Sequence, residues 1–323
     1  MMNDEAFFIS ICITGASGFI GTHLVRGCVA AGHRVVAFDR SPCRNPLEWH
    51  GQAVEWVLGD VTDPVAVGRA FNGCEAVFHH AAEVSVHDSI HRPLDTFHTN
   101  VQGTAVVLEM ARTHGVSLLT FPSSAAVYGN SDHPVQSETD PIAPLSPYGV
   151  SKWMGECLCQ AYQQQYQLNC LVLRYFNVVG KGQSPNSPYA AVIPRWIEQI
   201  EKGMPLSIYG DGMQTRDFVS VDVIVALHLH ALGRQAPHHP LNVGSGNAMT
   251  VATLADVLQS VMEREVGVTH HPPRNQEVRH SCANTQSIHR MFPGLKIEAL
   301  AHTLRQWVSP HQDTNTCHMP FNT

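Results

Sequence analysis

What this 323-residue chain lacks narrows its function before any motif is read. No run approaches the ~18 consecutive apolar residues of a membrane span. The start, MMNDEAFFISICITGA, is apolar but short, and it carries Asp4 and Glu5 where a secretory signal would be positive, so it reads as a first strand. No cluster of lysine or arginine occurs, and the net charge is −7, which argues against a nucleic-acid partner. Charged residues make up only 15% against 44% hydrophobic, a globular balance without the signature of disorder. The C-x-x-C spacing of a zinc site is absent, and the nine cysteines, an odd number, sit mostly in apolar segments. They read as reduced, packed thiols of a cytoplasmic enzyme. Histidine, by contrast, is plentiful at 21 residues, with pairs at His79-His80, His238-His239 and His270-His271. Neighbouring residues on a strand face opposite ways, so these pairs are poor chelators and no metal site is expected.

What is present is an alternation. FFISICIT, HRVVAFD, AVEWVL, CEAVFHH and VSLLTFPSS read as strands, and FIGTHLVRGCVAAG reads as a helix ending at Gly32. A long helical segment runs from about 94 to 114. Strands alternating with helices predict an α/β fold with a doubly wound parallel sheet. After another buried strand, LNCLVLRYFNVVG, the texture changes: KGQSPNSPYAAVIP is rich in Gly, Pro and Ser, and scattered helices follow. The expected division is a dinucleotide-binding Rossmann domain over 1–176 and a smaller, mainly substrate-binding lobe over 177–309. Some segments of that lobe would return to the first domain, and 310–323 would form a loose tail.

TGASGFIG joins the first strand to the first helix and spaces Gly15, Gly18 and Gly21 as G-x-x-G-x-x-G. Glycines there permit a tight turn and let backbone N–H groups approach a pyrophosphate at the helix N-terminus. The loop residues Gly15, Ser17, Gly18, Phe19, Ile20 and Gly21 form the expected dinucleotide cradle. Asp39 closes the second strand about twenty residues on, where a carboxylate accepts hydrogen bonds from a ribose and disfavours a 2′-phosphate. NAD is therefore expected over NADP, although Arg40 beside it could tolerate a phosphate. GDVTD places Asp60 and Val61 near the adenine, with a turn or helix-capping role as the alternative for Asp60.

Tyr148 and Lys152 in SPYGVSK are four apart, hence on one helix face. An ammonium beside a phenol lowers its pKa from the usual ~10 towards working pH, which makes Tyr148 a general base or acid. Ser124, at the end of the fifth strand, would hydrogen-bond the same substrate oxygen.

With these residues in hand, the chain resembles the extended short-chain dehydrogenases/reductases, and among them the NAD-dependent nucleotide-sugar epimerases that act on UDP-glucose or UDP-N-acetylglucosamine. The resemblance spans about residues 9–309. It rests on TGASGFIG, GDVTD, HHAAEVSV, NVQGT, SSAAVYG, YGVSK, LRYFNVVG, GDGMQTRDFV, LNVGSG and RNQEVRHS. It implies that Ser124, Tyr148 and Lys152 are the catalytic trio, Lys152 also holding the nicotinamide ribose. Ala81, Ala82 and Asn100 would lie on the cofactor side. Asn177, Arg216 and Arg274 would hold the diphosphate of a UDP-sugar substrate, a role suited to paired guanidinium groups.

The implied reaction is inversion at carbon 4 of the sugar through a transient 4-keto intermediate, with no net redox change. Members that eliminate water need an Asp-Glu pair just after the active-site hydroxyl residue, and here those positions are Ala125 and Ala126. Ser281 occupies the stretch that resembles a size gate, where a small residue leaves space for an N-acetyl group, and Ser85 would line the same pocket. Gln276 in place of the usual glycine, and the charged Glu83 near the sugar site, depart from the pattern. The competing expectations are another nucleotide-sugar reductase, a uronate epimerase and a non-catalytic NAD-binding sensor. A homodimer through the helices near 94–114 and 147–167 is a further implication of the resemblance.

Overall fold

The computed structural model describes residues 8–43, 46–131, 133–183, 192–273 and 278–308. Its first strands are β1 (Ser10–Thr14), β2 (Arg34–Asp39) and β3 (Val54–Leu58), with helix α1 (Phe19–Ala30) between the first two. Helix α2 (Pro64–Phe71) leads to β4 (Ala76–His79). Short helices α3 (Val86–His91) and α4 (Pro93–Phe97) precede α5 (Gly103–Thr113) and β5 (Leu118–Ser124). The 20-residue α6 (Pro147–Tyr166) then leads to β6 (Cys170–Tyr175).

The remaining elements are β7 (Asn177–Val179), α7 (Val192–Glu201), β8 (Leu206–Tyr209), β9 (Thr215–Ser220), α8 (Val221–Ala231), β10 (Leu241–Val243) and β11 (Ala248–Thr250). After them come α9 (Val251–Val261), β12 (Val268–His271), α10 (Gln286–Met291) and α11 (Leu300–Val308).

Seven strands form one sheet in the order β10-β6-β5-β4-β1-β2-β3, and every pairing in it is parallel. This is the Rossmann-type doubly wound order, reversing direction beside β1. Its strands are apolar on both faces, as parallel strands covered by helices on each side must be: Ile11, Ile13, Val35 and Phe78 pack with α1 and α8, while Cys12, Val36, Val77 and Leu119 pack with α2 and α5.

A three-stranded sheet β11-β9-β7 and a β12-β8 pair lie in the C-terminal half. A separate core around Trp196, Ile200, Leu206, Leu254 and Leu304 holds that half together. Strand β10 and helix α8 return to the main sheet and its core, so the chain crosses between the two cores more than once.

The helix expected over about 94–114 is continuous from Pro93 to Thr113 but changes its hydrogen-bonding pattern part-way. Residues His98–Gln102 form a wider π turn between α4 and α5. Within this turn the Asn100 side chain points inward and bonds the backbone of Glu83 in both directions: it accepts from Glu83 N at 2.7 Å and donates to Glu83 O at 2.9 Å.

Candidate functional site

The carboxyl ends of the parallel strands open into a cavity of about 580 Å³. Ligands of doubly wound sheets bind at this edge, and the volume lies in the range of small-molecule sites. Between β1 and α1, Gly15 has φ +70°, and a Cβ there would sit 2.7 Å from Ala81 N and His80 O. Only glycine satisfies both constraints. Gly18 caps α1 with no side-chain bond, which leaves the first N–H groups of the helix facing the cavity mouth. Ser17, Phe19, Ile20 and Gly21 also line it.

Asp39 braces this loop. Its Oδ2 accepts from Ser17 N at 2.9 Å and its Oδ1 from Ser41 N at 2.8 Å. Each carboxylate oxygen keeps a further lone pair for a ribose hydroxyl. Arg40 lies beside it and donates to Glu83 Oε1 at 2.7 Å. Asp60 makes a local turn, accepting from Thr62 N at 2.9 Å and Thr62 Oγ1 at 2.8 Å, and these bonds hold its carboxyl below the usual range. Val61, Ala81 and Ala82 line the cavity, whereas Asn100 acts behind it through Glu83. A dinucleotide fits these residues: helix N–H groups for a pyrophosphate, a carboxylate for a ribose and small side chains between them.

At the other end lie Ser124, Tyr148 and Lys152. Ser146 caps α6 by accepting from Gly149 N, and Pro147 starts it, which fixes where Tyr148 leaves the helix. Lys152 is buried and donates to Pro122 O at 2.8 Å. Pro122 lies past the last β4–β5 pair, Phe78↔Thr120, so that side of β5 is open and its carbonyl is available.

Burial pushes the Lys152 ammonium down to about 8. Burial also pushes the Tyr148 phenol up, and a hydrogen bond from the Ser124 hydroxyl pulls it back. The sequence expectation assigned that lowering to Lys152. In the structure burial outweighs the Ser124 hydroxyl, so the phenol lies above its ordinary value; the Lys152 ammonium stands 5.9 Å from the ring centre, turned to the Pro122 carbonyl, and does not lower it.

Behind the trio is a buried ionic lattice that motif reading missed. Glu156, one turn after Lys152, accepts from Ser123 Oγ and from Arg174 Nε and Nη2, the latter two at 2.9 and 2.8 Å. Arg174 Nη1 also donates to the Tyr128 hydroxyl at 2.9 Å, and that hydroxyl donates to Asn242 Oδ1 at 2.6 Å. The continued i, i+4 spacing of Tyr148, Lys152 and Glu156 is the signal that could have found it. A second missed group is His80, whose Nε2 lies 3.3 Å from the Tyr175 hydroxyl, itself 3.5 Å from His228 Nε2. Burial drives both imidazoles down, His228 to about 4, so they are neutral near pH 7.

Of the expected substrate residues, Ser124 lines this cavity, whereas Ser85, Asn177, Arg216 and Ser281 are not among its lining residues. Ser85 caps α3 by accepting from Asp88 N at 3.0 Å. Asn177 donates to Asp217 O at 2.7 Å, Arg216 donates to Thr215 O at 2.8 Å, and Ser281 is buried. Arg274 and Gln276 lie outside the described residues. Among the described residues no group of three or more His, Cys, Asp or Glu is arranged to hold a metal, and no helix is long and apolar enough to cross a membrane.

Residues 11–244 match the NAD dependent epimerase/dehydratase family. The chain belongs to that family. The family's cofactor is the one the glycine loop and Asp39 fit. The chain is 34% identical over 275 residues to a UDP-glucose 4-epimerase of Mycolicibacterium smegmatis, covering 83% of this chain and 88% of that protein. Its structure is similar to that of the UDP-N-acetylglucosamine 4-epimerase of Methanobrevibacter ruminantium M1 in complex with UDP-N-acetylmuramic acid: TM-score 0.87, 28% identity, 93% of this chain and 97% of that one. It is also similar to the UDP-glucose 4-epimerase of Thermus thermophilus in complex with NAD: TM-score 0.84, 30% identity, 93% of this chain and 98% of that one.

Proposed function

We propose that this family member is a nucleotide-sugar 4-epimerase acting on UDP-GlcNAc/UDP-GalNAc or UDP-glucose/UDP-galactose. One observation carries the reading. A serine hydroxyl and a tyrosine phenol line the cavity together beside a buried lysine, while the two residues that follow the serine are alanines. The trio can move a proton at one hydroxyl. Without an acid and a base at 125 and 126, the elimination of water has no partner groups there.

Bound NAD supplies the acceptor and later the donor of hydride. Ser124 holds the sugar 4-oxygen, and Tyr148, entering as the phenolate, takes the 4-hydroxyl proton as carbon 4 gives up its hydride and a 4-keto sugar forms. Because the same phenol returns that proton after the sugar has turned, the cycle closes with no net redox change. Lys152 supplies positive charge behind the phenol. Arg216 and Arg274 are the proposed anchors of the diphosphate, with Asn177, and Ser85 and Ser281 the small residues around the sugar.

The test is incubation of the purified protein with UDP-GlcNAc and, separately, UDP-glucose, without added reductant, followed by proton NMR. Appearance of the galacto epimer supports the reading, and the faster substrate reports on Ser281. No epimer from either, with NAD bound, overturns it for these two sugars.

A further inference from the structure

The dinucleotide cavity contains an ion pair that the loop motif does not require. Arg40, just past β2, donates from Nη2 to Glu83 Oε1 at 2.7 Å, and both side chains line the cavity next to Asp39, Ser41 and Asp60. An exposed pair of this kind is ordinarily loose. Here one partner is fixed: the backbone of Glu83 is clamped on both its N–H and its carbonyl by Asn100, which is itself buried and donates to Ser151 Oγ at 2.9 Å. Glu83 therefore presents its carboxylate to Arg40 from a rigid platform.

A ribose at Asp39 carries its 2′-substituent towards this corner. NADP would bring a phosphate of nearly two negative charges among Asp39, Asp60 and Glu83. Among the described residues, the cations lining the cavity are Arg40 and Lys152, and Lys152 is at the Tyr148 end, bonded to Pro122 O. Arg40 is thus the group able to receive a 2′-phosphate, and a guanidinium fork suits it.

We infer that Glu83 is a cofactor-specificity residue: it occupies Arg40, neutralises it, and so selects NAD over NADP across a gap of 43 residues in sequence. Asp39 disfavours the phosphate directly, and Glu83 withholds the compensating cation.

The test is binding, independent of the substrate. NADH and NADPH are titrated against wild type, Glu83→Ala, Glu83→Gln and Glu83→Ala/Arg40→Ala, followed by tryptophan quenching and checked by thermal shift. Glu83→Ala is expected to bind NADPH about tenfold more tightly while NADH affinity changes less than threefold. The gain should shrink as salt rises and disappear in the double variant. Glu83→Gln, which keeps the side-chain shape, should show part of the gain and replaces the alanine variant if that one folds poorly. An unchanged NADPH affinity, an equal change for both cofactors, or a gain that survives loss of Arg40 overturns the inference.

Discussion

At the scale of single residues, the site is governed by the low polarity around Tyr148 and Lys152. Tyr148→Phe removes the group proposed to move the proton and keeps the ring, so kcat should fall about 10²–10⁴-fold with NADH binding retained, as read by steady-state kinetics and titration. Lys152 has an acid-base consequence for stability. Its ammonium is displaced from 10.5 to about 8 by burial. Below pH 8 both folded and unfolded chains carry the proton, and the folded chain bears the full cost of a buried charge. Between pH 8 and 10.5 the unfolded chain holds more protons, so stability rises with pH across that window.

Lys152→Met should therefore stabilise the cofactor-free protein near pH 7. The displacement is worth on the order of 3 kcal/mol, less about 1 for the lost bond to Pro122. The gain should fade between pH 8 and 10.5 in denaturant titrations, and a Met variant less stable than wild type at pH 7 would contradict it. Of these residue properties, the identities of Ser124, Tyr148 and Lys152 were legible as a motif. The directions in which Tyr148 and Lys152 shift were not, because the burial of both is supplied by other parts of the chain.

At the scale of elements, α6 is the part whose placement matters most, since it carries Tyr148, Lys152 and Glu156 against β5. Gly155 sets its distance from the sheet: an added Cβ would sit 2.2 Å from Phe121 Cζ. Gly155→Ala is expected to cost about 1–3 kcal/mol through forced repacking, recovered in part by Phe121→Leu, as thermal melts of the three proteins would show. Arg174 ties the same helix to β6, and both partners of its pair with Glu156 are nearly inaccessible, at 5% and 9% side-chain exposure. Truncation to Arg174→Met leaves the Glu156 carboxylate buried without its partner. The expected loss is about 3–5 kcal/mol, with Arg174→Lys losing less, and equal losses for the two would argue against the pair.

The strand–helix alternation that frames α6 was legible because parallel strands buried on both faces read as apolar runs. The π turn at His98–Gln102 was not, nor the contact of Asn100 with Glu83 made from it, which joins segments that no local periodicity links.

At the scale of the whole molecule, α6 exposes Trp153 and Met154, and the neighbouring α3 and α4 expose Ile90 and Leu94. Exposed apolar side chains are the kind of surface a second subunit covers. The homodimer that the resemblance implies, through the helices near 94–114 and 147–167, would cover Leu94, Trp153 and Met154. Light scattering should give twice the 35.4 kDa chain mass, and Trp153→Asp should shift it towards the monomer. A wild-type mass of one chain would rule that dimer out.

The residues that the sequence by itself determined are those whose chemistry is local. The glycine loop, the acid at the end of β2 and the Tyr-Lys helix face each lie within one turn or one strand–loop–helix unit, where spacing dictates geometry. Tertiary structure alone decided how these units act on each other. Only folding brings Glu83 to Arg40, Ser123 and Arg174 to Glu156, and His80 to Tyr175 and His228. Such contacts join helices, strands and loops far apart in sequence, and their energies depend on burial, which a one-dimensional pattern does not contain.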